Sequence, residues 1–162
     1  MRLEHEFPPI YNSDSKVLIL GSFPSVKSRE QTFYYGHPKN RFWRLLALIC
    51  NQDLPTTIDE KKALCFAHRI ALWDVIESCE IEGSSDSSIK NAAVNDLSVI
   101  LDNCDIKKIF VNGTTAYRLF MKYQQKAINR TAVRLPSTSP ANAAWSFERL
   151  YGEWRVIGEY IN

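Results

Sequence analysis

Residues 17–43 read VLILGSFPSVKSREQTFYYGHPKNRFW. The run Val17-Leu18-Ile19-Leu20 is short, unbroken and aliphatic, the form a buried parallel strand takes. It leads directly into a glycine turn at Gly21, prolines at Pro24 and Pro38, and the aromatic triplet Phe33-Tyr34-Tyr35. In open sheets of such strands, ligands gather beyond the carboxyl ends. Gly21 to Trp43 is therefore expected to be one functional loop delivered by a strand.

The same strand-then-turn pattern recurs downstream. Ile70 to Ile76 forms a second apolar run ending near Asp74, Lys108 to Asn112 a third that stops at Asn112-Gly113, and Thr131 to Leu135 a fourth that opens into Pro136-Ser137-Thr138-Ser139-Pro140. Between them lie segments of helical period: Phe42, Leu45, Leu46 and Ile49, with Asn40 or Arg41 at the start; Thr57 to His68, opened by a Thr57–Glu60 capping box; Val94, Leu97, Ile100 and Leu101; and Ala116, Leu119, Phe120 and Tyr123, beginning around Thr114. A last helix carries Phe147, Leu150, Tyr151, Trp154 and Ile157. Short strands separated by helices predict an α/β fold, three-layer α/β/α, around a central four-stranded parallel sheet with right-handed crossovers. Residues 1–15 are expected to be an irregular arm, and the Ser- and acid-rich stretch from Glu80 to Asn91 a surface loop.

Composition bounds the function. A chain of 162 residues with 45% apolar and 23% charged residues suits a single domain, 1–162, with its own core. A net charge of +2 permits a nucleic-acid partner without demanding one. There is no secretory start and no run of membrane-spanning length, so no membrane partner and a cytoplasmic location are expected. Cys50, Cys65, Cys79 and Cys104 form no close pair, and His5, His37 and His68 show no ligand spacing. They read as packing thiols and isolated polar residues, and no metal or organic cofactor is implied. Nucleotide loops of the GxGxxG or GxxxxGK[ST] kind are absent, which disfavours a nonenzymatic nucleotide-binding module.

The predicted topology brings four turns to one rim: Gly21 to Ser25, Asp74, Asn112 to Thr114, and Pro136 to Pro140. With these motifs the chain resembles the uracil-DNA glycosylase superfamily, and in particular its hypoxanthine (deoxyinosine) and mismatch-type branch. Leu20-Gly21-Ser22-Phe23-Pro24-Ser25 is similar to the superfamily's strand and Gly-x-x-Pro loop, Tyr35-Gly36-His37-Pro38-Lys39-Asn40-Arg41-Phe42-Trp43 to its aromatic and Asn-x-Phe-Trp motif, and Leu135-Pro136-Ser137-Thr138-Ser139-Pro140 to its final Pro-Ser loop. Two departures matter. Phe23 stands where the uracil and mismatch families commonly place a water-positioning Asp or Asn, and Leu135 where the uracil-specific family has a His.

The resemblance implies a monofunctional DNA glycosylase that acts on damaged, deaminated bases, hypoxanthine first and uracil or G·T mismatches as the alternative. It implies Asn40 as the catalytic residue, taking over the water from position 23, although an Asn there also serves as a helix cap. Tyr35 would stack on a flipped base, and backbone N–H groups at Ser22 and Phe23 would meet its carbonyl. Asp74 would accept from its ring N–H, with Asn112 a weaker candidate in the same pocket; a turn residue or a partner of an Arg is the plainer role for Asp74. Phosphates would fall to Pro24, Ser25, Pro136, Ser137, Thr138 and Ser139, with Lys27, Lys39 and Arg41 supplying charge. The partner would be DNA, and the enzyme a monomer.

Overall fold

The computed structural model describes the chain except residues 1, 6, 25, 32, 82–88 and 162 and the side chains of residues 26, 27 and 31. The chain runs β1 (Arg2–Glu4), β2 (Val17–Gly21), α1 (Val26–Gln31), α2 (Phe42–Ile49), α3 (Ile58–Ala67), β3 (Ile70–Asp74), β4 (Ile76–Glu80), β5 (Lys90–Val94), α4 (Ser98–Leu101), β6 (Lys108–Asn112), α5 (Thr114–Tyr123), α6 (Gln125–Ile128), β7 (Val133–Leu135) and α7 (Phe147–Trp154), with a closing 3₁₀ turn at Arg155–Glu159. β3-β2-β6-β7 form a four-stranded sheet in that order, and every pairing in it is parallel. All of β2 and all of β3 are buried, so side chains on both faces are covered, as the unbroken aliphatic runs predict.

Register places the site. Gly21 pairs with Asp74 and Asn112 with Leu135, so the strands end level and their loops leave from one rim. Trp154, fully buried at the end of α7, packs edge-on against Phe42 of α2 and donates its Nε1 hydrogen to the Pro136 carbonyl at 2.8 Å. The helix layer thereby holds the start of the last rim loop. Among the described residues no helix is long and apolar enough to cross a membrane.

The structure departs from the sequence expectations in a second, antiparallel sheet of order β1-β4-β5. Arg2–Glu4 belong to a strand rather than an irregular arm and pair with Ser78 to Glu80. Ile76 opens β4 instead of closing the preceding strand, and Val94 lies in β5, so the third expected helix shrinks to Ser98–Leu101. α1 likewise interrupts what was read as a single loop from Gly21 to Trp43. Of the expected Glu80–Asn91 loop, 82–88 lie outside the described residues, and β4 and β5 flank them. Farther along the arm, Ile10 bridges Leu72 through two backbone bonds of 2.9 and 2.8 Å, covering the β3 edge.

The bend between the two sheets falls at Val75. Val75 and Ile76 donate their N–H groups to the carbonyls of Gly21 and Ser22 at 2.8 and 3.0 Å, and buried Asn95 donates its amide to the carbonyls of Asp74 and Ile76 at 2.9 and 3.2 Å. Gln124, also buried, donates to the Asn95 carbonyl at 2.7 Å. Asn95→Ala would leave the bend's carbonyls without that donor, and a buried group so abandoned costs about 1–3 kcal/mol. The expected result is a lower urea midpoint with an unchanged m-value; a midpoint equal to that of the parent protein would contradict this account of the bend.

Candidate active site

A cleft of about 120 Å³ opens at the carboxyl rim of the parallel sheet, lined by Gly21 to Pro24, Ser28, Tyr34, Tyr35, Asn40, Asp74, Asn112 and Ser137 to Ser139. Drug-sized ligands occupy pockets of about 300–1,000 Å³, so this cleft suits one flat ring system. It joins the ends of all four parallel strands.

Its floor depends on a missing side chain. A Cβ on Gly21 would lie 2.4 Å from Asp74 Oδ1 and 3.1 Å from the Tyr35 hydroxyl, so both groups converge over the bare glycine backbone. Asp74 is buried, and its partner is neither an Arg nor solvent: His5 Nε2 lies 2.7 Å from Asp74 Oδ2, with side-chain exposures of 3% and 5%. Beside them Tyr34 donates its hydroxyl to the Pro8 carbonyl at 2.9 Å. Burial, then the negative charge of Asp74 and the neighbouring Tyr35, push the Tyr34 phenol far above the ordinary tyrosine range, so it stays neutral.

Three aromatics in succession cannot all point inward, and the structure divides them. Phe33 and Tyr34 are buried, whereas Tyr35 is half-buried and lines the cleft. Tyr35 adopts φ 53°, a left-handed conformation that a bulky residue rarely takes, and its ring stacks on Phe42 with centroids 3.9 Å apart. The turn after it is tied down by Ser28 of α1, whose Oγ accepts from Gly36 N at 2.9 Å. Asn40 follows. Its N–H donates to the His37 carbonyl at 2.9 Å, and its Oδ1 accepts from Phe42 N, the first residue of α2, at 3.0 Å. The side chain thus sits at the helix start and on the cleft wall together.

The last rim loop is built by Asn112, which the sequence reading had given to the base pocket, and by Thr138 and Arg41, which it had given to phosphates. Asn112 and Thr138 exchange two hydrogen bonds, Nδ2 to Oγ1 at 3.0 Å and backbone N to Oδ1 at 3.1 Å, and Thr138 is fully buried. Arg41 turns its guanidinium inward. It donates to the carbonyls of Ser139 at 2.7 Å, Asn142 at 3.1 Å, Thr138 at 3.4 Å, and Trp145. The observed hydrogen bonds of Arg41 and Thr138 therefore shape the loop, where the sequence reading had them at phosphates. Pro24 is buried in the cleft wall, Pro136, Ser137 and Ser139 are half-buried, and Lys39 is exposed. Ser25 and the Lys27 side chain lie outside the described residues. Among the described residues no group of three or more His, Cys, Asp or Glu side chains is placed to hold a metal ion.

The sequence model of the uracil DNA glycosylase superfamily matches residues 8–155. The chain belongs to that superfamily. A curated relative, the hypoxanthine DNA glycosylase of Methanosarcina acetivorans, is 35% identical over 162 residues, spanning 96% of this chain and 98% of its own. The hypoxanthine DNA glycosylase of Methanosarcina barkeri is 37% identical over 109 residues, 66% of this chain and 69% of the relative. Among solved structures, a Methanosarcina acetivorans protein described as a candidate uracil DNA glycosylase superposes with a TM-score of 0.80 at 31% identity, covering 98% of this chain and 97% of that one.

For this superfamily member, sequence reading located Gly21, Tyr35, Asn40, Asp74 and the 136–140 loop on one cleft, and the structure brings them together. It missed His5, Ser28 and Asn95, polar residues whose partners are distant in the chain or lack a motif. Arg41, expected at phosphates, bonds the loop carbonyls in the structure. A Lys there has three donors on one atom and cannot reach four carbonyls from a planar fork. Arg41→Lys is expected to lose about 1–3 kcal/mol of stability and to open the 138–145 loop to limited proteolysis; parental resistance to protease would refute the scaffold role.

Proposed function

We propose that this protein is a monofunctional DNA glycosylase that flips a deaminated base, hypoxanthine foremost, out of DNA and hydrolyses its N-glycosidic bond in base excision repair. The observation that carries this reading is the meeting of Asn40, Tyr35 and Asp74 around one small cleft at the rim of the sheet. Membership of the superfamily and likeness to two hypoxanthine DNA glycosylases support it.

The base must leave the stack to be reached, and the cleft has room for one ring system. Tyr35, backed by Phe42, offers the stacking surface. Asp74 accepts from the ring N–H beside the base carbonyl, and the backbone at Ser22 and Phe23 faces the carbonyl itself. As the glycosidic bond breaks, positive charge grows on the sugar and negative charge on the departing base. Asn40 orients the attacking water: one lone pair of Oδ1 takes the Phe42 N–H, and the other remains for the water. No Lys lines the cleft among the described residues, which supports hydrolysis without a Schiff-base step. Ser137, Ser139 and Lys39 serve the flanking phosphates. We take the enzyme as a monomer acting in the cytoplasm, a reducing compartment that suits four free cysteines.

The test is excision from labelled oligonucleotides carrying hypoxanthine, uracil, xanthine or a G·T thymine, with alkaline cleavage of the abasic product. Release of hypoxanthine ahead of uracil is expected, and no release from any substrate would overturn the reading. Asn40→Ser keeps an acceptor for Phe42 N–H but, being shorter, draws that oxygen back from the water's place, so excision should fall about 100-fold while melting and DNA binding persist. Unchanged excision would remove Asn40 from the mechanism.

A further inference from the structure

His5 sits in an arm whose sequence carries no motif, yet it reaches Asp74, a residue of the cleft lining. Its position is fixed from several sides. His5 N donates to the Glu77 carbonyl at 2.7 Å, Ile10 is bonded to Leu72, and the ring is wedged against Phe7, Tyr34 and Phe23 at centroid distances of 4.6, 5.8 and 6.2 Å. Its Nε2 meets Asp74 Oδ2 at 2.7 Å. Its Nδ1 is buried and has no hydrogen-bond partner among the described residues.

Resting on the glycosylase reading above, we propose that His5 is a positioning residue that makes Asp74 the discriminator between deaminated bases and their parents. The bare, unpartnered Nδ1 selects the ring form with its hydrogen on Nε2, because the other tautomer would bury an N–H without an acceptor. Nε2–H then donates to Oδ2 and keeps that carboxylate acceptor-only. The second oxygen, Oδ1, lies over Gly21 in the cleft.

Deamination changes the feature such an oxygen reads. Adenine N1 and cytosine N3 are acceptors; in hypoxanthine and uracil the same ring positions carry a hydrogen. An acceptor-only Oδ1 bonds the deaminated bases and meets lone pair with lone pair in the parents. Among the described residues, the ionisable groups against this pair are the Tyr34 and Tyr35 phenols, and neither offers the carboxylate a positive charge. Without His5, Oδ2 loses its donor and the carboxylate is no longer held with Oδ1 turned toward the base. The arm histidine therefore fixes which oxygen meets the base.

The experiment is single-turnover excision from single-stranded oligonucleotides carrying hypoxanthine, adenine or unsubstituted purine, the last two with an acceptor at N1. His5→Leu should lower hypoxanthine excision about 10- to 100-fold and narrow its ratio to the acceptor-bearing bases. His5→Gln, which keeps an N–H donor, should recover much of both. A folded His5→Leu with the parental ratio would overturn the proposal. Should His5→Leu not fold, imidazole ¹⁵N NMR of the unaltered protein decides: hydrogen on Nε2 with a bare Nδ1 supports the proposal, and hydrogen on Nδ1 alone overturns it. Failure of the unaltered protein to release hypoxanthine would sink the function itself, a result distinct from either.

Discussion

The close approach of Asp74 and Tyr35 over Gly21 is the constraint on which the rest of the site depends. The parallel register of β2 and β3 sets Gly21 beside Asp74, and the absent Cβ leaves space that Asp74 Oδ1 and the Tyr35 hydroxyl occupy. Any side chain at position 21 would fill the floor of the cleft. From that contact follow the bend at Val75, which sends the chain away from the rim, and the course of the arm that brings His5 to the carboxylate.

The site is assembled at a cost in local stability. Tyr35 holds a left-handed backbone at φ 53°, a conformation costing about 1–3 kcal/mol for such a residue. Asp74 and His5 are taken out of water together, and removal of either would leave the other buried without its partner. Around these strained or desolvated groups the structure concentrates rigid support: Phe42 beneath Tyr35, Ser28 on the turn at Gly36, and Asn95 with Gln124 behind the bend. Each support comes from an element other than the one it steadies, so the cleft's geometry is a property of the packed whole.

Arg41 and the Asn112–Thr138 pair follow the same logic at the opposite wall. The loop after β7 contributes polar cleft-lining residues, and several of its carbonyls turn to side-chain donors. Arg41 supplies several from one planar group, and Asn112 clamps Thr138 in both directions. A superfamily loop that reads as phosphate-binding from its Ser and Thr content is, in this chain, held in shape by Thr138 and also by Ser137 and Ser139, whose Oγ atoms accept from Ser139 N and Ala141 N.

The parallel sheet, its helices and the rim were legible from residue order, because buried parallel strands are continuous aliphatic runs and their turns carry Gly, Asn and Pro. Asn40, Tyr35 and Asp74 were legible because they lie within or beside those turns. The antiparallel sheet was not: β1 and β5 are short and partly exposed, and the pairing of Arg2 with Glu80 spans most of half the chain without leaving a local period. Nor was the partner of Asp74. An isolated His in a polar arm has no sequence signal, and only the folding of that arm across the β3 edge carries its ring to Asp74. Local pattern determines which residues form strands, turns and helices; long-range packing decides which polar groups meet, because a hydrogen bond depends on distance in space and not on separation along the chain.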